Sequence, residues 1–496
     1  MGNNEPRKHP SRRDVLKMGV GALGSLSVAG QSQGSTERPG TGSAHRPNFV
    51  FFLGEGLRSD EFSFAGNKIL QTPNMDRIAR EGTTFRNAFV INALCLPSRA
   101  SILTGLYSHS TGAIDNQGRK IPRGIPTLAD MLRKAGYEVA FFGKAHVKDL
   151  SRCNWDYYFG VEDAGADYYH PVITESQQGI PTPPKCYHGY VDDLFTDRAL
   201  AWLNRDHKKP FCLFLWFIAP HAPFYRARRH LDLYNGVPIP KPSTFDDDLQ
   251  DYPGKPRAFA EADNKIGTTI LDDDDPRSLE ELVKDHYAGV VDNDENVGRV
   301  LEGLERAGKL DDTAILLSSD HGFFLGEWRM YDKRFMHEPS IRVPLMVRYP
   351  RMVKAGLACE KMALNLDLAP TILELAGLTA PQWMHGRSLV PFMKGLQPTT
   401  WRKDWLYEYY EYPGGQQVRP HRGIRTERYK LIHYFEAPEE FELYDLQQDP
   451  GELQNLYGDP TYTDLTRQLR DRIDQLRKET GDTYSYELPN RFQSEK

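Results

Sequence analysis

The sequence predicts an α/β fold: a large mixed, mostly parallel sheet sandwiched by helices, followed by a small α+β C-terminal domain with an antiparallel sheet. Three observations predict it. Short apolar runs recur along the chain and stop at glycine or polar residues, as strands buried on both faces do. Stretches with helical spacing separate them, the alternation of a layered α/β sandwich. From about residue 399 the texture changes to the period-two alternation of antiparallel strands.

Asn48–Leu53 (NFVFFL) reads as the first strand, closed by Gly54. Pro73–Gly82 follows as a helix, with Met75, Ile78 and Ala79 on one face and Gly82 as its stop. Thr127–Gly136 repeats that pattern and leads into a second strand, Tyr137–Phe142. Phe211–Ala219 is a third apolar strand, too short to cross a membrane. The long helical stretch Leu279–Gly308 precedes a fourth strand, Ala314–Ser319. Between them, residues 230–275 are acidic and weakly periodic, notably Asp246–Asp248 and Asp272–Asp275, and read as a solvated excursion near the substrate mouth. Near the end, Gly423–His433 and Phe441–Leu446 alternate like strands, and Thr463–Lys478 has helical spacing. A chain of 496 residues is long for one core. The expected division is a leader over 1–46, a catalytic domain over 47–398 and a small domain over 399–496.

The net charge of −6 gives no basic surface for a nucleic acid, and no apolar run after the first thirty residues is long enough to span a membrane. The five cysteines show no CxxC pair, so a zinc ribbon is not expected. One disulfide among Cys153, Cys186, Cys212 and Cys359 is compatible with an exported protein, with no pairing favoured. At the start, Ser11–Lys17 (SRRDVLK) and the apolar run Met18–Ala29 resemble a twin-arginine export signal, with Val15 where that motif prefers Phe. Periplasmic or extracellular residence is the expectation.

The unusual polar residues cluster just after four strands, where ligands sit in open α/β sheets. They are Glu55-Gly56, Gly143-Lys144-Ala145-His146, Pro220-His221-Ala222-Pro223 and Asp320-His321-Gly322. The most informative stretch is Cys95-Leu96-Pro97-Ser98-Arg99 followed by ASILTG. It is similar to the C-x-P-S-R signature of the formylglycine-dependent sulfatases of the alkaline phosphatase superfamily. Pro73–Arg86, the elements ending at His146 and Pro223, Ser319–Gly322 with Lys333, Ile341–Leu345, Arg425–Leu431 and Glu442–Leu456 resemble further hallmarks in the same order. The likeness spans nearly the whole mature chain.

The resemblance implies a sulfatase that hydrolyses sulfate monoesters, with a carbohydrate as the expected substrate. It implies that a formylglycine-generating maturation enzyme oxidises Cys95 to an aldehyde. It also implies one divalent metal ion, with calcium expected. The implied metal ligands are Glu55, Cys95 in its oxidised form, Asp320 and His321. Lys144, Lys333 and Arg99 would neutralise the sulfate oxygens, with Arg99 also orienting the formylglycine. His221 would protonate the leaving alcohol, and His146 would hydrogen-bond the hydrate or the departing oxygen. Tyr331 and His337 flank Lys333 and stand outside this set as further substrate contacts.

Two positions depart from the family. Where it usually has two adjacent aspartates this chain has Glu55-Gly56, so one carboxylate is longer and one is missing, leaving room for water or substrate oxygen. A histidine ligand and fewer carboxylates shift preference toward manganese or zinc. Trp328 replaces a histidine that tends to face substrate, which would offer an indole for stacking on a sugar. A phosphonate or phosphate diester hydrolase of the same superfamily, and a sulfated-glycan binding protein derived from an enzyme, are the competing readings.

Replacing Arg12 and Arg13 by lysine is expected to block export while leaving the folded protein intact. Fractionation and immunodetection check this, and undiminished export of the double variant would rule the signal out.

Overall fold

The computed structural model describes residues 46–117, 120–245, 255–266 and 278–484. The Arg12-Arg13 leader and the acidic runs Asp246–Asp248 and Asp272–Asp275 lie outside the described residues. Nine strands build the large sheet. They are β1 (Asn48–Gly54), β2 (Thr83–Phe85), β3 (Glu138–Lys144), β4 (Tyr157–Val161), β5 (Val172–Gln177), β6 (Phe211–Trp216), β7 (Thr313–Ser319), β8 (Leu345–Arg348) and β9 (Leu357–Cys359). Their order is β9-β2-β8-β7-β1-β6-β3-β4-β5, with the two-residue strands Ile180–Pro181 and Lys185–Cys186 pairing onto β5. The five central strands, β7 to β4, run parallel. β8 and β5 run antiparallel to their inner neighbours.

Alternation along each central strand sorts side chains onto two faces. Phe49, Phe51 and Leu53 join one core, while Val50 and Phe52 join the other. β6 and β7 split the same way, with Phe214 and Leu316 on the first face and Leu213 and Ile315 on the second. Each fully buried aliphatic or aromatic side chain contributes about 1.5–3 kcal/mol of burial, which is why these runs contain almost no polar residues. Helices α1 (Pro73–Glu81), α4 (Val191–Leu203) and α5 (Leu279–Arg306) fill the second core with Met75, Ile78, Phe195, Trp202, Val290 and Val297. Helices α2 (Cys95–Thr104), α3 (Leu128–Lys134) and α6 (Leu368–Leu375) fill the first.

The C-terminal region forms a separate four-stranded antiparallel sheet, β10 (Asp404–Tyr409), β11 (His421–Thr426), β12 (Tyr429–Tyr434) and β13 (Glu440–Asp445), with helix α7 (Thr463–Thr480). The single run expected over Gly423–His433 is two strands joined by a turn, and β10 was not anticipated. The turn is fixed by Thr426, whose hydroxyl oxygen accepts from the amides of Arg428 and Tyr429 at 3.2 and 2.7 Å. Trp405, Tyr407, Ile424, Leu431, Leu443 and Leu469 share the first core with Leu96 and Ile102 of α2. The small sheet therefore packs through the same apolar mass that seats the Cys95 helix. All five cysteines are free thiols, so the disulfide considered above is not formed.

Candidate active site

The register of the central strands brings the polar clusters together. Gly54 lies beside Ser319 and Leu53 beside Trp216, so the residues that follow β1, β7 and β6 emerge side by side. Gly143 lies beside Trp216 as well, which sets Lys144 at the same edge. Gly143 adopts φ +120°, and a Cβ there would fall 1.8 Å from Trp216 O, so only glycine allows Lys144 this position.

Cys95 opens α2, with Leu94 extended before it. Pro97 sits in the first turn, where the missing N–H would have had no helical partner. Arg99, one turn on, shares the face of Cys95. Its Nε donates to Asp320 Oδ2 at 2.8 Å, Nη2 to Glu55 Oε2 at 2.7 Å, and Nη1 to Lys144 O. Arg99 thus contacts the implied metal ligands, where the sequence reading has it neutralise the sulfate oxygens and orient the formylglycine.

Glu55 is the centre of the cluster. Its Oε2 accepts from Lys144 Nζ at 2.8 Å as well as from Arg99. Its Oε1 accepts from the Cys95 thiol at 3.0 Å and faces His321 Nε2 at 3.1 Å, Lys333 Nζ at 3.5 Å and His221 Nε2 at 4.0 Å. Burial alone would raise the carboxyl pKa, but Lys144, the His321 hydrogen bond, Lys333 and Arg99 hold it well below the usual range. Burial and Glu55 likewise push the Cys95 thiol up, yet Lys144, Lys333 and His321 leave it well below the ordinary value. Burial works against the Lys333 ammonium, and Asp332, Cys95 and Glu55 outweigh it, raising its pKa. Asp332 Oδ1 lies 3.1 Å from its Nζ. The cluster takes electrostatic form around one buried carboxylate.

Glu55, Cys95, Asp320 and His321 each offer a ligand atom, all within 4.8 Å of one another. The donor set suits a divalent cation: two carboxylates, an imidazole and the position-95 side chain, whose oxygen would stand where Sγ now is. His321 Nδ1 donates to Gly322 O at 2.8 Å, which turns Nε2 toward the carboxylates. Burial lowers the His321 pKa but Asp320 raises it, to about 9 overall, so a cation must displace a proton there.

His146 is 3 % exposed, and its Nδ1 is buried without a partner among the described residues. His221 keeps 22 % of its side chain exposed and reaches the site from the open side, with Nδ1 bonded to Ala222 O at 2.6 Å.

Three expectations are corrected. The Gly56 vertex is not open: its φ is +71°, and a Cβ would meet Phe323 at 3.0 Å and His321 at 3.4 Å. Glycine is there for the turn. The Trp328 indole does not face a sugar, because it is 2 % exposed and packed against Phe259, Phe324 and His337, with Lys255 Nζ 4.4 Å from its ring. His337 is 0 % exposed beside Lys255 and Glu442, and Tyr331 is buried with Phe245 and Leu282, so neither lines the pocket at Lys333.

The structure adds residues that the sequence did not single out. Asp332 and Arg334 flank Lys333 with φ of +75° and +94°, conformations that non-glycine residues adopt reluctantly. Their side chains pair with each other, and Arg334 lies 3.6 Å from Glu411. The Tyr407 hydroxyl accepts from Ala93 N at 3.2 Å and donates to Arg334 O at 2.6 Å. The charged triplet at 332–334 was the one available signal; nothing in sequence ties position 407 to Cys95.

This strand-end cluster of a helix-opening cysteine, two buried lysines and a two-carboxylate cage defines a hydrolase of anionic esters. The sulfatase family profile matches residues 47–378, and that of the N-sulphoglucosamine sulphohydrolase C-terminal region matches 326–479. The chain belongs to the sulfatase family of the alkaline phosphatase superfamily, and it is a sulfuric ester hydrolase. It is 36 % identical to an N-acetylglucosamine-6-O-sulfatase of Bacteroides thetaiotaomicron, over 92 % of this chain and 91 % of that protein. The N-acetylglucosamine-6-sulfatase of Homo sapiens is 28 % identical over 82 % of this chain and 73 % of its own length. A solved complex with its substrate D-glucosamine-2-N,6-O-disulfate superposes with TM-score 0.82 at 35 % identity, covering 88 % of this chain and 99 % of that one.

Four predictions follow from this geometry. Glu55→Ala is expected to abolish activity and to lower bound metal, measured by elemental analysis of purified protein. Gly56→Asp is expected to reduce soluble, active protein rather than tighten the metal, and metal affinity should weaken as pH falls below about 9 because His321 takes up a proton. Equal metal content in Glu55→Ala and wild type would remove Glu55 from the ligand set. Lys144→Ala and Lys333→Ala should each lower kcat by about 10²–10³, the typical effect of removing one preorganised donor; near-normal kcat in both would misplace the sulfate pocket.

Proposed function

We propose that the enzyme hydrolyses the 6-O-sulfate ester of a glucosamine-type sugar, through a formylglycine at position 95 and one divalent cation. The single observation that carries the substrate is the 36 % identity, over nine-tenths of both chains, to an N-acetylglucosamine-6-O-sulfatase. The reaction chemistry rests on Cys95, Lys144, Lys333 and His221 all reaching one buried carboxylate.

Glu55, Asp320, His321 and the position-95 side chain would hold the cation, which supplies positive charge against a sulfate oxygen; oxygen at three of the four positions argues for calcium, and the histidine is the one donor that argues for manganese or zinc. The hydrated aldehyde supplies a pair of hydroxyls on one carbon, so that one can attack sulfur and loss of the other's proton can release sulfate. Lys144 and Lys333 neutralise the charge that builds on the sulfate oxygens. Arg99 holds both carboxylates in place. His221 gives a proton to the leaving sugar oxygen, and its exposure keeps that side of the site open to substrate. Asp332 holds the Lys333 ammonium in place at 3.1 Å, and Arg334 pairs with Asp332 behind it. Maturation by a formylglycine-generating enzyme and export by the Arg12-Arg13 leader belong to the same proposal.

The test is a panel of defined sugars with protein matured alongside a formylglycine-generating enzyme. Glucosamine 6-O-sulfate should be desulfated, with 2-N- and 3-O-sulfated isomers and phosphonate esters far slower. Mass spectrometry of the Ala93–Arg99 peptide should find the aldehyde. Preference for phosphonate esters, or activity from a wholly thiol Cys95, would overturn the reading.

A further inference from the structure

His221 is carried by the turn that leaves β6, residues 217–222, and that turn is held from several sides. Phe217 N donates to Leu53 O at 2.9 Å. Ile218 N and Ala219 N donate to the two oxygens of Asp192, at 2.9 and 2.8 Å. Asn293 Nδ2 donates to Ala219 O at 2.7 Å, and the Tyr168 hydroxyl donates to His221 O at 2.5 Å.

Asp192 lies in the first turn of α4 and is 0 % exposed. It forms no ion pair with any described residue. Burial pushes its carboxyl up to about 7, against the two amide hydrogen bonds, and Asp193 and Asp292 add to the rise. A carboxylate buried without a cation is expensive to keep, so its use is not its charge. Its use is geometric: two acceptors at a fixed spacing that match two consecutive amides. Asn293, on α5, has a buried Oδ1 with no partner among the described residues and serves as a donor. One turn earlier, a Cβ at Gly289 would lie 2.8 Å from Pro220 Cβ, so α5 packs directly onto the same turn. Two helices converge on a short segment whose one chemical group is His221.

We propose that Asp192 and Asn293 are positioning residues for the general acid: they fix the 218–219 backbone and thereby place His221 Nε2 for proton delivery to the leaving oxygen. This rests on His221 being that acid. In the step concerned the bond from sulfur to the sugar oxygen breaks, its electron pair stays on that oxygen, and the proton comes from His221 Nε2. A sugar alkoxide is a poor leaving group and needs the proton, whereas a nitrophenolate leaves without it. Misplacement of the acid therefore shows as selectivity between two esters, which general loss of stability does not produce.

The experiment compares kcat/KM on glucosamine 6-sulfate and on 4-nitrophenyl sulfate for wild type, His221→Ala, Asp192→Asn and Asn293→Ala. His221→Ala sets the scale, with a loss of about 10²–10⁴ on the sugar ester and far less on the aryl ester. Asp192→Asn keeps the size but turns one acceptor into a donor facing an amide. It should lose about 10–10² on the sugar ester, in line with a displacement of the order of 1 Å, and little on the aryl ester. Asn293→Ala reaches the same backbone by another contact and should show the same selectivity. Equal losses on both esters in both variants, or no loss in either, overturn the proposal. If His221→Ala itself shows no selectivity, the acid assignment fails first and the positioning role falls with it.

Discussion

One buried carboxylate, Glu55, holds the active site together. It is 1 % exposed, so its ionised form carries a large desolvation penalty, and three cations repay that penalty at contact distance. Each cation comes from a different part of the chain: Arg99 from the Cys95 helix, Lys144 from the end of β3, and Lys333 from the loop after β7. The carboxylate thus fixes three segments relative to one another. Removing one partner from such a buried cluster is destabilising by roughly 3–5 kcal/mol, because an unpaired charge remains behind. Against the carboxylates of Glu55, Asp320 and Asp332 stand Arg99, Lys144 and Lys333, so these charges balance before any metal enters.

Much of this was legible in the sequence, and the reason is local. The central strands are buried on both faces, so their apolar runs stand out, and the chemistry falls where each run stops. Cys95 and Arg99 share a helix face through a spacing visible in the sequence alone. What escaped the sequence depends on distant partners. Trp328 occupies a position that often faces substrate, yet Phe259, Phe324 and His337 enclose it, and only the folded chain brings them together. Gly56 looked like a missing ligand because a sequence shows the absent side chain but not the φ of +71° that requires its absence. Five of the six residues of strand β10 (DWLYEY) are buried, Glu408 among them, so it lacks a clean alternation.

The two sheets are one functional unit. The C-terminal sheet shares its core with α2, and Tyr407 hydrogen-bonds the segment before Cys95 on one side and Arg334 on the other. The residues that define the pocket around Lys333 are therefore held partly by a region that contributes none of the implied metal ligands. Conserving the catalytic residues while altering the small sheet would still move Arg334, which couples the two regions in any redesign of the pocket.

The burial of Cys95 also sets a clock. In the folded chain Cys95, at the start of α2 and two residues beyond the Tyr407 contact to Ala93 N, is 1 % exposed, too little for a second enzyme to act on it. Under the maturation proposed above, conversion of Cys95 precedes the completion of that enclosure. Tyr407 leaves the ribosome roughly 310 residues after Cys95, which at about 5–20 residues per second is an interval of ~15–60 s. During translation this interval is the period in which the cysteine stays accessible, and the late position of the small sheet in the chain lengthens it.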